Sequence, residues 1–206
     1  MTMVAQRADT LSTSARSAEA RQSMIDSQLR PSGVNDAAVL AAFARVVRED
    51  HVPESARGFA YMDRAIALEN GGHLAAPLVH GRMLCEAAAT PQDKILLVDG
   101  GSGYLTALLR EMGHAPMVID AQAATADQTM RGDYTLLLID GAVEHLPRGL
   151  VQRLADGARV VTGLASRGVT RLAAGRKIAG EVVLMPLADI GMPILPDFAA
   201  PKGWSF

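Results

Sequence analysis

Hydrophobic positions change rhythm partway along the chain. As far as residue 90 they recur at helical spacing, as Met24, Ile25 and Leu29, then Val39, Leu40, Phe43 and Val46-Val47, then Leu78, Val79, Met83 and Leu84. Three amphipathic helices are predicted. Pro31-Ser32-Gly33 ends the first, Asp36 stands where it caps the second, and Pro77 opens the third. Residues 51–76, around Pro53, Gly58 and Gly71-Gly72, read as irregular connection. Residues 1–20 are rich in Ala, Ser, Thr and Arg without apolar period, and a mobile tail or a frayed helix is expected there.

After Pro91 the pattern becomes short, unbroken apolar runs. Ile95–Val98, Pro116–Ile119, Tyr134–Ile139 and Arg159–Leu164 predict four strands, continuous in the way of strands covered on both faces. A helix through Leu105, Leu108 and Leu109 to Gly113 follows the first, and another spans Leu146 to Leu154 before a turn at Asp156-Gly157. Residues 169–174 and 178–187 alternate weakly and suggest a closing hairpin. The tail after Met192 is rich in Pro and Gly. Strands alternating with helices predict an α/β fold, a Rossmann-like three-layer sandwich on a mostly parallel sheet, with ligands at the carboxyl ends of the strands. The expected organisation is a tail (1–20), an N-terminal helical segment (21–90) and a Rossmann-like domain (91–206).

Composition narrows the function classes. The 206 residues are 49% hydrophobic but only 4% aromatic, so aliphatic side chains and Met must fill the core. With 20 basic and 22 acidic residues the net charge is -2, and no basic stripe of a nucleic-acid binder is present. One cysteine, Cys85, excludes an internal disulfide and fits a reducing compartment. No secretory pattern opens the chain and no apolar run nears the roughly 20 residues of a membrane span. A soluble, cytoplasmic protein without a membrane or nucleic-acid partner is expected.

The candidate chemistry sits at Asp99-Gly100-Gly101-Ser102-Gly103, between a strand and a helix. Glycines there let the backbone turn sharply and approach a ligand, while the helix amino terminus offers donors and partial positive charge. Asp120 ends the next strand, where an acid accepts both hydroxyls of a ribose. The plainer alternative is a tight strand–helix turn and a solvated Asp.

Several ordered segments resemble the protein-L-isoaspartate O-methyltransferase family. Arg21-Gln22-Ser23-Met24-Ile25-Asp26-Ser27-Gln28-Leu29 looks like its opening helix, and Val46-Val47-Arg48-Glu49-Asp50-His51-Val52-Pro53-Glu54 like its "V-P-R-E-x-F-V-P-E" segment. Ala60-Tyr61-Met62-Asp63 is similar to "A-Y-x-D", and Gly101-Ser102-Gly103-Tyr104-Leu105-Thr106-Ala107 to "G-S-G-Y-x-T-A". Asp133-Tyr134 to Pro147, and Leu154-Ala155-Asp156-Gly157-Ala158-Arg159-Val160-Val161, are similar to its fourth strand, "I-P" loop and "L-x-x-G-G-R-L-V" unit. The resemblance implies S-adenosylmethionine as cofactor and protein repair as activity. A methyl group passes to the side-chain carboxylate of an isoaspartyl residue in damaged protein, and the ester collapses to a succinimide that reopens to aspartate. The residues it implies around the cofactor are Asp99, Gly100, Gly101, Ser102, Gly103, Tyr104, Asp120 and Asp140.

Three departures bear on activity. The family's hydroxyl-bearing "T-I-S-Q-P" loop is His73-Leu74-Ala75-Ala76-Pro77 here, so the catalytic positions lack hydroxyls. In the family's "E-x-G-x-G-S-G" turn the acid is Leu97 here and the first glycine is Asp99. Only residues 121–132 separate Asp120 from Asp133. These twelve span at most roughly 40 Å, and the return past one neighbour needs on the order of 20–25 Å, which leaves no room for the family's extra helix and strand. The sheet is therefore expected to be shorter by about one strand and one helix, with 117–120 as an edge open to a second copy. A catalytically inactive relative, kept for binding or assembly, is the alternative.

Other residues carry weaker expectations. Asp99, Asp120, Asp140 and Glu144 form either an acidic cleft or a set of loop acids in water, the latter favoured. His73 and His80 do not share a helix face because of Pro77, which argues against a metal site. His145 beside Glu144 is read as surface, Cys85 as a packed thiol, and Arg45, Arg48 and Arg57 as a solvated face or a contact for an acidic peptide. Trp204 and Phe206 are expected to cover an apolar patch.

Overall fold

Residues 15–126 and 132–200 are described by the computed structural model. The unbroken apolar runs are strands with both faces covered. In β3 (Ile95–Val98), Ile95 and Leu97 join one core cluster, while Leu96 and Val98 join the other. The same alternation holds in β5 (Tyr134–Val143), where Leu136 and Leu138 face one side and Leu137 and Ile139 the other. With β4 (Met117–Ile119), β6 (Leu154–Ser166), β7 (Val169–Ile178) and β8 (Glu181–Ala188), the sheet order is β4-β3-β5-β6-β7-β8. The first four strands are parallel, and β7 and β8 close the sheet as an antiparallel hairpin. β4 is an edge, as the short connection requires.

One face of the sheet is covered by the N-terminal helices and α4 (Tyr104–Glu111). The N-terminal helices are α1 (15–24, running into a π-type turn at Ile25–Leu29), α2 (Ala37–Arg45) and α3 (Pro77–Ala87). Asp36 caps α2 as expected, accepting from Val39 N at 2.9 Å. The other face is covered by α5 (Ala121–Thr125), α6 (Arg148–Gln152) and the segment through Leu195 and Phe198.

Several boundaries differ from the sequence reading. Residues 15–20 are not a tail. They are the first turns of α1, fastened where the Ser17 hydroxyl donates to Glu49. α2 stops at Arg45, and Val46 and Val47 are extended. Within 51–76 the chain forms a small hairpin of β1 (Ile66–Ala67) and β2 (His73–Leu74). A one-turn helix, α5, does fit after Asp120, because Asp120 caps it by accepting from Ala123 N at 2.6 Å. α6 is only five residues, and β6 begins at Leu154. Asp156-Gly157 is a bulge inside β6, which lets Tyr134 pair with Leu154 and Leu136 with Arg159. Trp204 and Phe206 lie outside the described residues.

Candidate functional site

The glycine turn leaves the carboxyl end of β3, between β4 and β5, and enters α4. Gly101 (φ 102°) and Gly103 (φ 66°) take the left-handed conformations that the reversal needs. Gly100 lies against β5 so closely that a Cβ would run into the Asp140 carbonyl oxygen.

Asp99 is folded back into this turn. Its Oδ1 accepts from Gly101 N at 2.7 Å and Gly103 N at 3.1 Å, and its Oδ2 accepts from the Thr106 hydroxyl at 3.2 Å. Ser102 Oγ accepts from Tyr104 N at 3.1 Å. The turn's carbonyls are held as well. Gly100 O accepts from His73 N at 3.0 Å, Gly101 O from Asn70 Nδ2 at 2.9 Å and Ser102 O from His51 Nδ1 at 2.9 Å. A carbonyl accepts only, so His51 carries its proton on Nδ1 here. Asp120, one strand over, is exposed, and its second carboxylate oxygen is free of the cap it makes with the first.

Beneath the turn lies a buried polar cluster. Tyr104, the first residue of α4, is fully buried with its ring flanked by His51 at 5.2 Å, His80 at 5.5 Å and Phe43 at 6.0 Å between centroids. The Arg48 guanidinium sits 4.9 Å from the Tyr104 ring centroid, within cation–π range. Arg48 is also fully buried, donating from Nε to Ala60 O at 2.6 Å and from Nη2 to Ala75 O. Burial lowers the Arg48 pKa, with Tyr104 and Asp140 opposing, and burial pushes the Tyr104 hydroxyl well above the usual phenol value against the pull of Arg48. His80 Nε2 donates to Asp140 Oδ1 at 2.8 Å, both side chains buried.

These positions correct two expectations. Asp140 is neither a solvated loop acid nor part of an open acidic cleft. It lies within β5 and is buried against His80, which engages Oδ1, while Oδ2 is buried without a hydrogen-bond partner. Arg48 is not on a solvated face, because the carbonyls of residues 60 and 75 draw it inward. Arg45 is on the surface, paired with Glu111 at 3.1 Å, and Arg57 is exposed. Glu144 is exposed and accepts from Ala200 N at 2.6 Å, and His145 is exposed beside it. Cys85 is half-buried, and burial raises its pKa, which keeps the thiol protonated.

Of the hydroxyl-less loop, His73 and Leu74 form β2, and Leu74 and Ala75 are buried. Ala76 is the N-cap of α3 and provides no side-chain cap, and Leu78 N instead donates to Asp63 Oδ1 over a long 3.4 Å. The structure thus brings Asp99 to Tyr104 together with the 73–76 loop and places Asp120 on the adjacent strand. His80, Arg48 and His51, which sequence reasoning did not assign to this cluster, complete it from below.

A central parallel sheet with a glycine turn entering a helix, and an acid ending the adjacent strand, defines a Rossmann-like nucleotide-binding protein. The comparisons with known proteins agree and go further. The model of the family described as Protein-L-isoaspartate(D-aspartate) O-methyltransferase matches residues 19–126, more than half of the chain. The protein-L-isoaspartate O-methyltransferase of Herpetosiphon aurantiacus is 32% identical over 165 residues, covering 68% of this chain and 74% of that one. That of Koribacter versatilis is 31% identical over 193 residues, covering 82% and 87%. Among solved structures, a Plasmodium falciparum protein described as a protein-L-isoaspartate O-methyltransferase, in complex with S-adenosyl-L-homocysteine, superposes with a TM-score of 0.67. The superposition covers 88% of this chain and 98% of that one; at 16% identity it speaks for the fold. The chain belongs to the protein-L-isoaspartate O-methyltransferase family.

Proposed function

We propose that this chain binds an S-adenosylmethionine-type nucleoside at the carboxyl ends of β3 and β4 and methylates isoaspartyl carboxylates of damaged proteins. The observation that carries this is the open Asp120 carboxylate beside the glycine turn, on adjacent parallel strands, in a member of this family. The nucleoside half of the cofactor fits, because an exposed Asp120 oxygen is available to a ribose. The amino-acid half does not meet free donors, because Asp99 already occupies the amides of Gly101 and Gly103.

When bound, the cofactor supplies an electrophilic methyl group, and the substrate's own carboxylate is the nucleophile. No general acid or base is then required of the protein, whose role is alignment. His73 to Ala76 would orient the peptide through backbone groups, since none of these side chains carries a hydroxyl. The exposed edge of β4 is the place for a second copy, and the balanced charge with a single cysteine supports a cytoplasmic setting.

Asp99 also favours a second reading, a non-catalytic relative that keeps the fold for binding or assembly. Calorimetric titration with S-adenosylhomocysteine separates the two. Saturable heat at micromolar to sub-millimolar ligand is expected, and no heat at millimolar ligand would overturn the enzymatic reading.

A further inference from the structure

The amides of Gly101 and Gly103, at the start of the eight-residue helix α4, form the part of this site suited to an anion. A glycine in place of Asp99 would leave both amides open to a ligand. Here a carboxylate from the same chain satisfies both, at 2.7 and 3.1 Å, and is itself held by the Thr106 hydroxyl at 3.2 Å. The arrangement has little freedom to open, because His73 N, Asn70 and His51 fasten the turn's three carbonyls from outside. A ligand carboxylate seeking these amides would have to displace a tethered competitor of the same charge. Displacement would leave Asp99 with the Thr106 hydroxyl alone and set two like charges side by side. Asp120, by contrast, keeps an open oxygen for a ribose.

We propose that Asp99 fills, from within the chain, the subsite for the carboxylate end of the ligand, so that the site gains no affinity from a carboxylate on a nucleoside's 5′ substituent. The proposal rests on the reading that the ends of β3 and β4 hold a nucleoside, and it adds which part of that nucleoside contributes nothing to its affinity. Asp99 is thus a specificity-determining residue. Its carboxylate reduces affinity for an amino-acid-bearing cofactor and abolishes the preference for it over a shorter analogue.

Isothermal titration of the full chain with S-adenosylhomocysteine and with 5′-methylthioadenosine, which lacks the amino-acid end, tests this. The wild type is expected to bind the two within about threefold of each other. Asp99→Gly should bind S-adenosylhomocysteine about tenfold more tightly than the wild type, with its affinity for 5′-methylthioadenosine changed by less than about threefold. Asp99→Asn, which keeps an acceptor for the amides but loses the charge, should lie between. A wild type preferring S-adenosylhomocysteine by about tenfold or more, or an Asp99→Gly variant with unchanged preference, overturns the proposal and leaves the nucleoside reading standing. Failure of both ligands to bind any form at millimolar concentration overturns the nucleoside reading and this inference with it. Should circular dichroism show Asp99→Gly unfolded, the wild-type ratio and Asp99→Asn decide the question alone.

Discussion

At the scale of single residues, burial of charge is what the sequence least reveals. Arg48 is followed by two acids, Glu49 and Asp50, in a segment rich in charge, and composition alone sends such a residue to water. Its burial depends on carbonyls 12 and 27 positions away in the chain, which no local pattern encodes. Asp140 and His80, 60 positions apart, pair for the same reason. The glycines and Asp99 were legible because their meaning is local, a turn between a strand and a helix. Asp93 shows how a single carboxylate ties the opposite end of the sheet together. It accepts from Thr90 N at 2.8 Å, from the Thr135 hydroxyl at 2.8 Å and from Arg159 Nη2 at 2.7 Å. Burial alone would raise its pKa, but the bonds from Thr90 and Thr135 and the charge of Arg159 outweigh burial and hold it at about 2. The folded-state pKa lies below the unfolded value of about 3.9, so this stabilisation is complete above the unfolded value and is lost as pH falls through the folded one. Urea midpoints are expected to fall steeply from pH 4 towards pH 2. Asp93→Asn should flatten that limb and cost about 1–3 kcal/mol at neutral pH. An unchanged acid limb in the variant would show that Asp93 does not drive it.

At the scale of elements, strands were read more accurately than helices. Continuous apolar runs identify buried strands directly, and the alternating C-terminal stretch gave the β7–β8 hairpin. The short span of residues 121–132 leaves β4 at the edge of the sheet, as its length predicts. α5 still fits within that span because one capped turn of helix consumes few residues. The start of β6 was missed because a bulge at Asp156-Gly157 mimics a turn in sequence. Asp120 serves two elements at once, capping α5 while facing solvent at the end of β4. The two roles separate by substitution. Asp120→Asn retains a good N-cap, so the thermal midpoint should move little, by less than about 0.5 kcal/mol of stability, while affinity for 5′-methylthioadenosine falls about tenfold. Loss of stability with unchanged affinity would assign Asp120 to capping alone.

At the scale of the whole molecule, the order of the family's segments carried the fold. The far end of the chain was the part least visible. Pro and Gly after Met192 suggested an irregular tail, yet Met192, Leu195 and Phe198 are buried. They show no strand or helix period because the regular structure here is a single short turn, the 3-10 helix Pro196–Phe198 with Leu195 as its N-cap. Ala142 N donates to Pro193 O at 2.7 Å and Leu195 N to Ala142 O at 2.9 Å, just past the register shift of β5 on β6 between Leu138 and Ala142. Phe198→Ala should therefore cost about 3–5 kcal/mol, as a core truncation does and a tail substitution does not, when measured by urea unfolding. A cost within about 0.5 kcal/mol would place this segment outside the cooperative core.

The bridge at Ala142 also imposes an order of events during synthesis. Its partner, Ile194, lies 52 positions later in the chain. At roughly 5–20 residues added per second, the end of β5 waits on the order of 3–10 s for the strand-like segment that completes it. Over that interval the Ala142 amide and carbonyl lack the partners they later find in Pro193 and Leu195, two residues beyond the Asp140 carbonyl against which Gly100 lies. The end of the sheet that carries the glycine turn is thus completed only after a segment 52 positions further along has been made.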